Sequence, residues 1–91
     1  MEHVLVDQQF LLLEDGNELH LDYYLMEDMR ENDVTVYGIK VEKRGEQCEV
    51  ETTGPISYSK EWVLYVCKLI AGNQVTPMEL IHIVDDIITE S

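Results

Sequence analysis

Positive charge is what this chain has least of. Six lysines and arginines stand against 19 aspartates and glutamates in 91 residues, a formal charge of −13. A surface so negative repels phosphate backbones, so direct nucleic-acid binding is not expected. Cysteine is scarce as well. Cys48 and Cys67 form no CxxC pair and have no histidine companions, the pattern of two buried thiols rather than of a disulfide frame or a zinc site. Apolar runs are short: the longest, Leu11 to Leu13 and Trp62 to Cys67, fall far short of the ~20 residues that cross a bilayer. No membrane partner is expected. Met1-Glu2-His3 has no basic region and no apolar stretch behind it, so it is not read as a secretory signal, and a cytoplasmic location is expected. There is no Gly-rich phosphate loop, no basic-aromatic array and no readable nucleophile with its base. Neither an enzyme nor a cofactor is expected.

What the chain does have is a change of hydrophobic period near Gly54-Pro55. Before it, apolar residues alternate with polar ones, as in Leu19, Leu21, Tyr23 and Leu25. After it they recur every three or four residues, as in Leu80, Val84, Ile87 and Ile88. A period of 2 is the pleat of a strand and a period of 3.6 is a helix. The expected fold is therefore a single α+β domain of two layers. A four-stranded antiparallel sheet, read as a meander, is followed by two antiparallel helices packed on one face, in the order ββββαα. The acidity lies mainly on the sheet half, with 14 acids and four bases through Thr53 and five acids and two bases beyond it. Solubility accounts for such charge, and so does a basic protein partner or mimicry of nucleic acid.

The expected strands run about His3 to Leu13, Glu18 to Met26, Val34 to Lys43 and Glu46 to Thr53. With Asp15-Gly16 as a two-residue type I′ turn, Leu12 faces Leu19, Phe10 faces Leu21 and Val6 faces Leu25, all on one side with Tyr23. A three-residue loop would turn Val6, Phe10 and Leu12 to the other side. A turn at Arg44-Gly45 pairs Val41 with Cys48, Ile39 with Val50 and Tyr37 with Thr52.

The first helix is capped by Ser57 or Ser59 and runs to about Ala71, with Gly72 as the C′ residue. It buries Trp62, Val63, Val66, Leu69 and Ile70. The second opens on Thr76-Pro77 with Glu79 three residues on, a capping box, and Val75 and Leu80 form the matching hydrophobic staple. It buries Leu80, Ile81, Ile83, Val84, Ile87 and Ile88.

The second sheet face is too apolar for a solvated surface. By these registers it carries Leu5, Leu11, Leu13, Tyr24, Met26, Val34 and Val36 among the acids Asp7, Asp22, Glu49 and Glu51, and Leu5, Tyr24, Met26, Val34 and Val36 are the candidate interaction face. A bulge near Gly38 that switches the facing of Val34 and Val36, a homodimer and a different protein partner each account for it. Two acid–histidine pairs are the candidate ligand or metal sites: His20 with Asp22 on that face, and His82 with Asp86 on the last helix. Zinc ordinarily takes more His or Cys than either offers.

Tyr23-Tyr24-Leu25, Tyr37-Gly38-Ile39, Ile56-Ser57 before a helix and Val75-Thr76-Pro77 together resemble a family of small proteins from clostridia and related bacteria, classed as a domain of unknown function. The resemblance spans nearly the whole chain. It implies a bacterial cytoplasmic origin and brings no catalytic residue with it. The expected function is a non-enzymatic protein-interaction module, adaptor or regulatory, acting through the helix-free sheet face. The alternative is a small-ligand or divalent-metal-binding domain.

Overall fold

The computed structural model describes residues 2–45 and 47–90. Four strands, β1 (Glu2–Leu12), β2 (Glu18–Met29), β3 (Thr35–Arg44) and β4 (Glu49–Ser57), form one antiparallel sheet in the order β1-β2-β3-β4. Helices α1 (Lys60–Gly72) and α2 (Pro77–Glu90) follow and pack against it. The ββββαα meander read from the periods is the fold. Its core is one layer: Leu21, Tyr23, Leu25, Ile39 and Val41 from the sheet meet Val63, Val66, Cys67, Ile70, Leu80 and Val84 from the helices.

Two registers differ from expectation. The first hairpin closes on three residues, not two. Leu13 N–H bonds to the Asn17 carbonyl at 2.8 Å, and Gly16 N–H to the Leu13 carbonyl at 3.0 Å. A type I′ turn needs positive φ at both central residues, but only Gly16 has it, at 87°. The result is a type I turn followed by a left-handed glycine, held by the Asp15 carboxylate, which accepts the Asn17 N–H at 3.0 Å. Leu11 therefore pairs with Leu19 and Phe10 with His20. Phe10 and Leu12 leave the helix-covered side. A bulge between Leu5 and Asp7 shifts the register once more, and its extra residue, Val6, packs against the core.

The second difference lies between β3 and β4. Glu42 pairs with Val50, and Lys43 with Glu49, whose side chains meet at 3.3 Å. Val50 thus joins Phe10 on the helix-free side, and Cys48, expected buried opposite Val41, lies exposed outside the strands because Glu51 takes that pairing. The expected fourth-strand start, Glu46, lies outside the described residues. The period change at Gly54-Pro55 is not the strand's end: β4 continues through it to Ser57. Register shifts flank Gly38, but β3 pairs unbroken with β2, so the extra residues belong to β4 and the facing of Val36 is unchanged. There the two backbones touch: a Cβ on Gly38 would overlap the Gly54 carbonyl.

Local chemistry sets the helix ends. Ser59 caps α1, its hydroxyl accepting the Trp62 N–H at 3.3 Å. At the other end Gly72 stays helical, and Gln74 takes the left-handed position with φ 54°. Gln74 N–H bonds to the Ala71 carbonyl and Val75 N–H to that of Ile70, both at 3.1 Å, which is a Schellman motif. Helix α1 buries Cys67 and Ala71 but leaves Leu69 exposed. Before α2, the Glu79 carboxylate accepts from the Thr76 hydroxyl at 2.8 Å and its N–H at 3.4 Å. Val75 and Leu80 are both buried, completing the staple. Ile81 and Ile88 stay exposed, because α2 lies at the sheet's β4 edge.

Candidate functional site

The pleat and the registers together assign each side chain to a face. On the helix-free face β1 contributes His3, Leu5, Gln8, Phe10 and Leu12. Strand β2 contributes Glu18, His20, Asp22, Tyr24, Met26 and Asp28. Strand β3 adds Val36, Gly38, Lys40, Glu42 and Arg44, and β4 adds Val50 and Thr52. Four large apolar side chains there are open to solvent: Leu5 at 46%, Phe10 at 53%, Leu12 at 70% and Val50 at 54%. Of the five residues expected on this face, Leu5, Tyr24, Met26 and Val36 are there. Val34 lies just outside β3, exposed, with its carbonyl accepting the Arg30 N–H.

Phe10, Leu12 and Val50 were missed because the wrong loop length was chosen at each hairpin. The signal was present at the first: Glu14-Asp15-Gly16 before Asn17 fits a three-residue loop with glycine last as well as it fits a two-residue one. Nothing comparable marked the second.

Charge on this face is paired. Arg44 lies 3.0 Å from Asp22, Arg30 3.3 Å from Asp28, and Lys40 3.8 Å from Glu42. His20 Nε2 lies 3.8 Å from Glu18. Four acids therefore meet three permanent cations and a histidine, while the rest of the sequence holds 15 acids against three bases. The aromatic rings are also engaged. His3 sits 4.8 Å from Tyr24, His20 packs edge-on to Phe10 at 4.9 Å, and the Lys40 ammonium lies 5.1 Å from the Tyr24 centroid. The Tyr24 phenol is pushed above its ordinary value, first by desolvation and then by Glu42. Between β2, β3 and β4 a hollow of about 50 Å3 is lined by Met26, Asp28, Val36, Gly38, Thr52, Gly54 and Pro55.

The two acid–histidine candidates look different in three dimensions. Asp22 is buried on the helix-free face, where Gln8 Nε2 donates to it at 3.0 Å and Arg44 pairs with it. His20 turns to Glu18 and Phe10 instead. His82 and Asp86 are both exposed on α2, and the nearby Glu79 carboxylate is occupied by Thr76. Among the described residues no group of three or more His, Cys, Asp or Glu stands where it could hold a metal ion. Among the described residues no helix is long and apolar enough to cross a membrane.

The covered face holds two titratable groups that the core itself shifts. The Tyr23 hydroxyl donates to the Val75 carbonyl at 2.7 Å, tying the sheet to the turn between the helices. Burial pushes its phenol up, with a smaller push from Asp7. Burial likewise pushes the Cys67 thiol up to about 12, again helped by Asp7. A thiol so protonated is inert.

Residues 2–90 match a family of unknown function, DUF6514. The chain belongs to that family. No curated protein and no solved structure matches it. DUF6514 membership thus covers the whole described fold and assigns no activity to it.

Proposed function

We propose that this DUF6514 protein is a non-enzymatic interaction module, adaptor or regulatory, whose working surface is the helix-free sheet face. One observation carries the reading. The observed registers leave Leu5, Phe10, Leu12 and Val50 exposed on this face beside Tyr24 and Met26, while Leu11, expected there, turns to the core. Exposed apolar area of this kind, set among paired charges, is what protein partners bury. The paired charges fit the same use, since a carboxylate already neutralised by Arg44 or Lys40 costs less to desolvate than a lone one. As the resemblance implies, we place the protein in the cytoplasm of clostridia or related bacteria.

The test is comparative capture from a native host extract. Three baits are used: the natural chain, Leu5→Asp with Phe10→Asp on the helix-free face, and Tyr65→Asp on the exposed side of α1. Binding that the face variant loses and the α1 variant keeps supports the reading. Binding that survives the face variant, or is lost with Tyr65→Asp, sinks it.

A further inference from the structure

We propose that the occupant of the helix-free face is a second copy of this chain, packed sheet to sheet into a four-layer αββα sandwich. The inference rests on the reading of that face as an interface, and it names the partner.

Charge argues for it first. Two chains of formal charge −13 repel wherever their acidic surfaces meet. The helix-free face is where acids and bases nearly balance. Face-to-face packing sends the two helix layers outward, each behind its own sheet with the sheets themselves about 10 Å apart, so the helices stand well over that distance from one another. That exceeds the screening length of about 8–10 Å at ordinary salt. A basic partner would instead be drawn to the acidic surface elsewhere, and this face offers it little.

Size and shape argue for it next. Four strands of up to 12 residues, rising about 3.4 Å per residue and spaced about 4.8 Å apart, present a face of roughly 40 × 19 Å, close to the about 800 Å2 that a stable interface buries on each partner. Antiparallel sheets pack face to face with aligned strands in β-sandwiches. An isologous dimer also needs a surface complementary to itself. Here the projections, Leu5 and Phe10, stand on edge strand β1, and the hollow floored by Gly38 lies toward β4 on the same face. A two-fold axis parallel to the strands, between β2 and β3, sets β1 of each copy over β4 of the other. The cross-strand row of Leu5 runs through Tyr24 and Lys40 to Thr52, at the rim of that hollow. The row of Phe10 runs through His20 to Arg44, so the same axis sets Arg44 of each copy over the other's His20, with Phe10 one strand beyond.

Sedimentation velocity and light scattering of the full chain across the micromolar range provide the test. The natural chain is expected to be a dimer that tightens as salt rises, because salt screens only the acidic repulsion. Leu5→Asp with Phe10→Asp should raise the dissociation constant by about 100-fold or more, since four added carboxylates are then shut into the interface while Arg44 is already paired with Asp22. Both side chains are exposed, and circular dichroism reports whether the variant is folded. Leu5→Ser with Phe10→Ser is the milder replacement should it not be, and should weaken the dimer in the same direction. Tyr65→Asp should leave the dimer intact. A monomeric natural chain overturns the inference; if the face variant still abolishes capture from extract, the interface reading survives without it. A dimer that the face variants do not weaken overturns the inference as well, and the capture experiment then decides the interface reading by itself.

Discussion

The two faces of this sheet are built from the same strands and similar residues, yet they do different work. On the covered face Leu21, Tyr23, Leu25, Ile39 and Val41 are shut away by two helices. Each large side chain so buried contributes about 1.5–3 kcal/mol to folding. On the other face Leu5, Phe10, Leu12 and Val50 stay in water and contribute little to the stability of the single chain. The polar groups differ in the same sense. The covered face buries the Tyr23 hydroxyl where it reaches the Val75 carbonyl. The free face neutralises its carboxylates by ion pairs that still stand partly in solvent. Apolarity in one strand therefore has two meanings, and the element packed opposite decides which applies.

The contrast can be broken most sharply by truncation. Leu21→Ala should cost about 2–5 kcal/mol in urea unfolding, through lost burial and the cavity left behind. Phe10→Ala should cost less than about 0.5 kcal/mol at concentrations where the chain is monomeric. Equal losses would erase the distinction between the faces.

Next in size is Gly38→Ala, which has no room because the Gly54 carbonyl occupies the place of the new Cβ. We expect a loss of about 1–3 kcal/mol as β4 is forced off β3, with the amide shifts of residues 52–56 moving most. An unchanged melting temperature would mean that β4 does not cross β3 this closely.

Tyr23→Phe tests the tie between sheet and helix turn. Loss of the hydroxyl leaves a buried carbonyl unpaired and should cost about 1–3 kcal/mol at neutral pH. The pH dependence has a definite sign. Both Tyr23 and Cys67 hold their protons more tightly folded than unfolded, so their stabilisation is complete below the unfolded values and is lost as pH rises through the folded ones. The thiol begins this loss near pH 9.0 and the phenol near pH 10.0, the ordinary values of the two groups. The alkaline limb of stability should therefore fall less steeply in Tyr23→Phe than in the natural chain, as followed by denaturation at stepped pH. A limb of equal slope would place Tyr23 in contact with water.

The smallest effect refines the helix boundary. Gln74 holds a left-handed conformation that costs a side-chain residue about 1–2 kcal/mol, so Gln74→Gly should stabilise the chain, by up to about 1 kcal/mol. Gly72→Ala should stabilise too, because Gly72 is helical and nothing crowds it.

Much of this was legible in the residues. Leu19, Leu21, Tyr23 and Leu25 alternate cleanly enough to specify a strand and its buried side. Thr76-Pro77 with Glu79 specifies a helix start to within a residue. These signals are local: they depend on the pleat, on helical spacing and on hydrogen bonds that reach three or four residues. What failed were the joints. Asp15-Gly16 fits two loops whose strand registers differ by one residue, and one residue is enough to turn Phe10 and Leu12 from core to surface. At Gly72 the glycine suggested the left-handed position, but the last turn of α1 ran one residue further and left it to Gln74.

The order of elements, the class of fold and the identity of most core residues were thus written into the chain, because periodicity and capping act over a few neighbours. The loop lengths, the bulge at Val6, the crossing of Gly38 against Gly54 and the membership of each sheet face came from packing across the whole molecule. Such choices weigh distant surfaces against one another, and no short window of residues contains both sides of that balance. The helix-free face belongs to this second group: its apolarity could be foreseen, but which side chains make it, Phe10, Leu12 and Val50 among them, emerged only when the strands were paired.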